Sequence, residues 1–249
     1  MRVIPVLDLL DGHAVRAIRG DRANYRPIQS SLCATSEPLA VARALLEASG
    51  ADTLYVADLG AIVAQHADTS TLAALCSGLN PPSSTPRHSI QIWLDAGFAD
   101  YTSMHAHLMR IGAPRGALVP VFGSETLRTP DALREAERAG YQPILSLDRR
   151  AGRPLHAPGT AATLHDTPAW WPARVIAMTL DRVGAYEGPD LATFNALRER
   201  AGGERIVIGA GGIRHRADLD AAAQSGAQAW LVGSALHDGK LAASPHAVR

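Results

Sequence analysis

A single (β/α)8 barrel is the fold class predicted for this chain, on three observations. The length of 249 residues matches the roughly 250 residues typical of such a barrel. Hydrophobic residues make up 47% of the chain and charged residues only 19%, below the usual charged share of about 25%, so there is material for a large core and no signature of disorder. Eight short apolar runs recur with helix start and stop signals between them, the pattern of βα units packed as a parallel sheet. Residues 1–249 are therefore expected to form one domain.

Taken in order, the first run is Val3–Leu9, with Asp8 at its carboxyl end. Ala14–Thr35 has no helical periodicity and is expected to form a long loop over the catalytic mouth, closing on substrate as a lid. Glu37–Ser49 carries Pro38 early and Gly50 after its end, which marks a helix. The second run is Thr53–Asp58 and the third Ile90–Leu94, preceded by a surface loop over Asn80–Arg87. The fourth, Ala117–Phe122, leads to a helix over Pro130–Ala139 with Gly140 beyond it. The fifth is Pro143–Leu147, followed by Arg149–Pro172, whose Gly, Pro, His and Thr predict a loop or short turn in place of a helix. The sixth is Val175–Thr179, with a helix over Pro189–Ala201, and the last two are Arg205–Ile208 and Ala229–Val232.

The halves of the chain resemble each other. Val3-Ile-Pro-Val-Leu-Asp8 matches Pro143-Ile-Leu-Ser-Leu-Asp148, Asp95-Ala-Gly-Phe98 matches Gly209-Ala-Gly-Gly212, and Val121-Phe-Gly-Ser124 matches Leu231-Val-Gly-Ser234. A half-barrel duplication places Asp8 and Asp148 on opposite sides of the ring, over one mouth, which suits an acid and a base acting on two faces of one substrate. Either aspartate alone would as readily be a helix cap or a loop ion pair. The turns at Gly211 and Gly212 and at Gly233 and Ser234 follow the seventh and eighth strands, where backbone N–H groups commonly hold a phosphate. Asp58, Asp95 and Asp181 also end strands, and Arg19, Arg149 and Arg182 lie in loops over the same face, so they are candidate substrate contacts. His105 and His107 sit two apart on a predicted helix and face different ways, and no metal site is evident.

Composition excludes several classes. Lys+Arg and Asp+Glu are both 24, so the chain offers no basic field for nucleic acid or an acidic membrane surface. Cys33 and Cys76 form neither a redox motif nor a metal knuckle. Lys240 is the only lysine, which removes a P-loop and a Schiff base on a barrel strand. Asp8 interrupts the amino terminus too early for a signal peptide and no apolar run is long enough to span a bilayer, so a cytoplasmic protein is expected. No cofactor is called for, and oligomeric state is not written in the sequence.

The runs Val3-Ile-Pro-Val-Leu-Asp-Leu-Leu-Asp-Gly12, Gly209-Ala-Gly-Gly-Ile213 and Leu231-Val-Gly-Ser-Ala-Leu-His-Asp-Gly239 resemble the histidine-biosynthesis barrels HisA and HisF, and Ser146-Leu-Asp-Arg-Arg150 resembles the fifth strand of HisA. Arg19-Gly-Asp-Arg-Ala-Asn-Tyr-Arg-Pro-Ile28, Tyr55-Val-Ala-Asp-Leu59, Leu94-Asp-Ala-Gly97 and Arg182-Val-Gly184 resemble the related proteins of methanogens and methylotrophs associated with tetrahydromethanopterin-dependent one-carbon metabolism.

The likeness to HisA implies an Amadori rearrangement of a small phosphorylated aminosugar, with Asp8 as base and Asp148 as acid; position alone allows the reverse. The departures point to a changed substrate. HisA carries a glycine turn for a second phosphate after its third strand, where this chain has Asp95-Ala-Gly-Phe98, and a carboxylate there repels phosphate. The threonine of HisA's sixth strand falls at Met178, with Thr179, the candidate substrate contact on that strand, one position off and on the other face. The resemblance also admits a HisF-like lyase or cyclase, another enzyme of tetrahydromethanopterin or methanofuran synthesis, or a non-catalytic phosphate-ligand-binding subunit.

Overall fold

The computed structural model describes residues 1–16, 19, 25–64, 66–81, 89–114, 116–158 and 164–241. Eight parallel strands close into a barrel: β1 (Arg2–Leu10), β3 (Thr53–Asp58), β4 (Gln91–Asp95), β5 (Leu118–Gly123), β6 (Ile144–Arg150), β8 (Arg174–Thr179), β9 (Ile206–Ala210) and β10 (Ala229–Val232). Closure is the pairing of β1 with β10, in register from Arg2 opposite Ala229 to Pro5 opposite Val232. Around the barrel lie α1 (Pro38–Ser49), α2 (Leu59–Ala64), α3 (Thr69–Leu79), α4 (Tyr101–Ile111), α5 (Asp131–Arg138), α6 (Leu191–Arg200), α7 (Arg216–Gln224) and α8 (Ser234–His237). No helix among the described residues is long and apolar enough to cross a membrane.

The helices start where the sequence supplies caps. Glu37 accepts from the N–H groups of Leu39 and Ala40 before α1, and left-handed Gly50 ends it. Asp100 and Ser103 form a capping box on α4. Between β6 and β8 the described residues hold only a short strand β7 (Arg153–Pro154) and a 3-10 turn at Pro168–Trp170, as the composition of that stretch predicts.

The predicted loop over Ala14–Thr35 needs correcting at its start. A strand β2 (His13–Val15) folds back antiparallel on β1, pairing Asp8 with Val15, and Val15 bridges Pro27. The turn has positive φ at Asp11 and Gly12, and the β6–β7 turn repeats this at Ala151 and Gly152, the geometry that matches strand twist in two-residue hairpins. Asp8 and Asp148 thus each stand three residues before an equivalent hairpin turn, a backbone echo of the duplicated strands. Residues 17–18 and 20–24 of the expected lid, and 82–87 of the predicted surface loop, lie outside the described residues.

Strand parity sorts the core into two layers. Ile4, Tyr55, Trp93, Ile144, Ile176, Ile208 and Leu231 fill the barrel interior, while Leu7, Leu54, Leu94, Leu147, Val175 and Trp230 pack outward against the helices. Trp230 is 1% exposed and stands opposite Gly209 on β9. A Cβ on Gly209 would lie 2.1 Å from its ring, so Gly209→Ala is expected to cost about 2–3 kcal/mol by overpacking, read as a lowered unfolding midpoint in urea.

Candidate active site

The barrel interior opens at the carboxyl ends of its strands into a hollow of about 1110 Å3, its mouth included. Asp8, Asp95 and Asp148 line it from β1, β4 and β6, each at an inward position of its strand. Asp148 is 5% exposed. Its Oδ1 accepts from the Ser146 hydroxyl at 2.6 Å, and its Oδ2 lies 3.4 Å from the Ser124 hydroxyl and 3.3 Å from the Glu125 N–H. Burial pushes this carboxyl up to about 8, and the charges of Glu125 and Asp95 add to the rise against the pull of the Ser146 and Glu125 hydrogen bonds. Asp148 is therefore a carboxylic acid at neutral pH. Asp8 is half-buried on the same wall of inward residues as Ile4 and Val6.

Asp95 is fixed from both sides. Its Oδ2 accepts from the Tyr55 hydroxyl at 3.0 Å and its Oδ1 from the Gly97 N–H at 3.1 Å. Burial, then the neighbouring charges of Asp95 and Asp148, hold the Tyr55 phenol well above its usual range, so it stays a donor.

On the other side of the hollow, Gly211 and Gly212 after β9 and Gly233 and Ser234 after β10 face the interior. The Trp230 indole N–H donates to the Gly211 carbonyl at 3.0 Å and holds the first turn. Arg16, Arg182 and His237 are the basic residues among the described lining. Arg16 pairs with Asp238 at 2.6 Å, with Tyr186 bonded to both. Burial, with the charge of Arg16, lowers His237 to about 4, so its ring is neutral.

The sequence profile of histidine biosynthesis proteins matches residues 2–242. The chain belongs to the histidine biosynthesis protein family. It is 28% identical over 254 residues to the 1-(5-phosphoribosyl)-5-((5-phosphoribosylamino)methylideneamino)imidazole-4-carboxamide isomerase of Paracoccus denitrificans, covering 97% of this chain and 96% of the relative. The isomerase of the same name from Jannaschia is 29% identical over 255 residues, with the same coverage. An uncharacterized protein of Methanocaldococcus jannaschii is 26% identical over 244 residues, covering 97% of this chain and 95% of that one.

In this family member five of the sequence candidates stand elsewhere than in the hollow. Asp58 occupies an outward position on β3 and is 1% exposed. Its carboxylate accepts from the N–H groups of Ala61 and Asp68 and so ties α2 to α3, a structural post rather than a substrate contact. Thr179 likewise faces outward, donating to Asp190 at 3.0 Å, while Met178 beside Asp148 faces the hollow. Asp181 lies past the strand end in a 3-10 turn and accepts from the Ala151 N–H of the hairpin turn. Arg19 is exposed and pairs with Glu187 at 2.6 Å, and Arg182, which does line the hollow, shares that glutamate at 3.2 Å. Arg149 donates to the Gly152 carbonyl within its own hairpin. His105 and His107 both lie on α4, where His105 stacks on Tyr101 and His107 is buried against Phe98.

Sequence reasoning passed over Ser124, Glu125, Ser146, Tyr55 and Arg16. Ser146 was within reach, since a residue two before Asp148 on a strand shares its face. The others reach their partners across strands or loops.

Proposed function

We propose that this chain is a HisA-type aldose–ketose isomerase that performs an acid/base Amadori rearrangement on a singly phosphorylated aminosugar. The observation that carries the reading is a pair of aspartates on opposite strands over one hollow, Asp148 buried and Asp8 half-buried. Support also comes from similarity to relatives named as isomerases. Asp148 gives its proton to the ring oxygen of the sugar, and the ring opens to an iminium. Asp8 takes the proton from C2, which leaves an enaminol. Asp8 returns its proton to C1 as the enol proton passes to Asp148, which completes the ketose and restores both side chains, so the product is an isomer of the substrate.

The phosphate end rests on the N–H groups at Gly211, Gly212, Gly233 and Ser234, with the guanidinium N–H groups of Arg16 and Arg182 on that side, each also paired with a carboxylate, Asp238 and Glu187. The opposite end, with Asp95 and Glu125, repels a second phosphate and suits N–H donors of the substrate. This divergence moves the chain away from the histidine intermediate and toward another phosphorylated aminosugar, of which tetrahydromethanopterin-linked one-carbon metabolism is the proposed setting.

The test is complementation of a strain lacking HisA, beside turnover of singly phosphorylated glycosylamines by the purified protein. The expected result is no rescue by folded protein and turnover of a monophosphate, lowered about 10²- to 10⁴-fold in Asp8→Asn. Rescue that needs both aspartates would keep the isomerase and overturn the changed substrate. No turnover of any such compound and no rescue would overturn the reaction itself.

A further inference from the structure

The stretch that replaces the fifth helix places one imidazole behind Asp148. His165 is 1% exposed, and its Nε2 lies 3.1 Å from Ser124 Oγ. That oxygen accepts the Asp148 backbone N–H at 2.9 Å and sits 3.4 Å from Asp148 Oδ2. The described residues of the stretch are tied down at both ends. The Leu155 N–H donates to the Asp148 carbonyl, the Ala157 N–H to the Ser124 carbonyl, the Trp171 indole to the Leu164 carbonyl and Arg200 to the His165 carbonyl.

The ring's other nitrogen, Nδ1, is buried with no partner among the described residues. The Leu155 backbone also lies beside the ring, and with the proton on Nε2 the ring donates to Ser124. Ser124 Oγ then accepts twice, from His165 and from the Asp148 N–H, and its single hydrogen is left to point at Asp148 Oδ2.

We propose that His165, carrying its proton on Nε2 and acting through Ser124, is a positioning residue for Asp148, aiming a hydroxyl donor at the carboxylate that remains once Asp148 has given up its proton. The role rests on Asp148 being the acid of the proposed isomerase. Its physical content is that a donor to the charged form lowers the proton affinity of a buried carboxyl, partly offsetting desolvation. The charged and titratable groups facing Asp148 are Glu125 after β5, Asp95 on β4 and Tyr55 on β3, and those facing His165 are His156, Arg149 and Asp166. None of these other groups bonds to Ser124 Oγ among the described residues. Burial lowers His165 to about 4, so the ring is a neutral donor throughout the range in which Asp148 titrates.

The experiment follows the Asp148 carboxyl carbon by NMR as a function of pH in the whole protein, with the signal assigned through Asp148→Asn. In His165→Phe the acid dissociation constant of Asp148 is expected to fall about tenfold, and His165→Gln, which returns an N–H donor, is expected to restore most of it. Ser124→Ala removes the hydroxyl alone and is expected to shift the titration the same way, which keeps the test open if His165→Phe does not fold. Titration curves of His165→Phe or Ser124→Ala that coincide with wild type, or a dissociation constant that rises in His165→Phe, would overturn the assignment. The measurement needs no substrate, so failure of the isomerase reading shows as absent turnover and failure of this one as coincident curves.

Discussion

Asp148→Asn is expected to remove about 10²- to 10⁴-fold of turnover and, at pH 8, to make the protein more stable. The loss follows from the acid role proposed for Asp148, since an amide has no proton to give to a ring oxygen. The gain follows from burial. In the unfolded chain this carboxyl ionises near its ordinary value of 3.8, and in the folded chain it holds its proton up to about 8. Between those two values the native state binds the extra proton, so stability falls as pH rises and levels off above about 8. The interval corresponds to stabilisation on the order of 5 kcal/mol that is present at low pH and absent at high pH. An asparagine carries no such term. The difference between variant and wild type is therefore expected to be small near pH 4, to grow through neutrality and to be constant above pH 8, as measured by urea unfolding across that range. A difference that does not change with pH would mean that Asp148 ionises as an ordinary carboxylate, and the acid role would go with it.

Much of the barrel is legible in the sequence because strands buried on both faces read as continuous apolar runs. Thr53–Asp58 and Ala229–Val232 coincide with their predicted bounds, and β6 runs three residues past its predicted end, to Arg150, because it continues into a hairpin. That hairpin and its counterpart after β1 are too short to set up a periodicity of their own, although Asp11-Gly12 is itself a two-residue turn signal. Site residues divide by parity. Asp8, Asp95 and Asp148 fall on inward positions, whereas Asp58 and Thr179, also at strand ends, fall on outward ones, and a single-residue difference moves a side chain from the mouth to the helix layer. Parity is readable in principle. What is not readable is the set of partners: Arg16 meets Asp238 and Tyr55 meets Asp95 only because barrel closure brings distant segments together.

Gly212→Ala is expected to lose about 3 kcal/mol of stability and most of the affinity for a phosphate-bearing ligand. Gly212 has φ of +83°, and a Cβ there would stand 2.2 Å from the Gly188 carbonyl oxygen and 2.8 Å from Pro189 Cα. Both obstacles are backbone, so neither can swing aside as a flexible side chain would. Left-handed geometry costs a non-glycine residue about 1–2 kcal/mol, and relieving the clash adds about 1–3 kcal/mol. The relief has to move the segment carrying Asp190, which caps α6 and accepts from Thr179, or else the turn that faces the hollow. Gly211 separates the two effects. Its φ is +79°, yet its nearest neighbours to a Cβ are 3.3 Å away, at Arg182 and Val183. Gly211→Ala therefore carries the conformational cost with little of the clash, about 1–2 kcal/mol, and is expected to fold at ordinary temperature with its backbone turned away from the hollow. Calorimetric titration with inorganic phosphate and with a sugar monophosphate reads the consequence. If the anion rests on these N–H groups, Gly211→Ala binds both at least about tenfold more weakly, because a helix-entry turn holds phosphate only while its N–H groups converge. Unchanged affinity in a folded Gly211→Ala protein would place the anion elsewhere in the mouth, with Arg16 and Arg182 as the remaining positive groups on that wall.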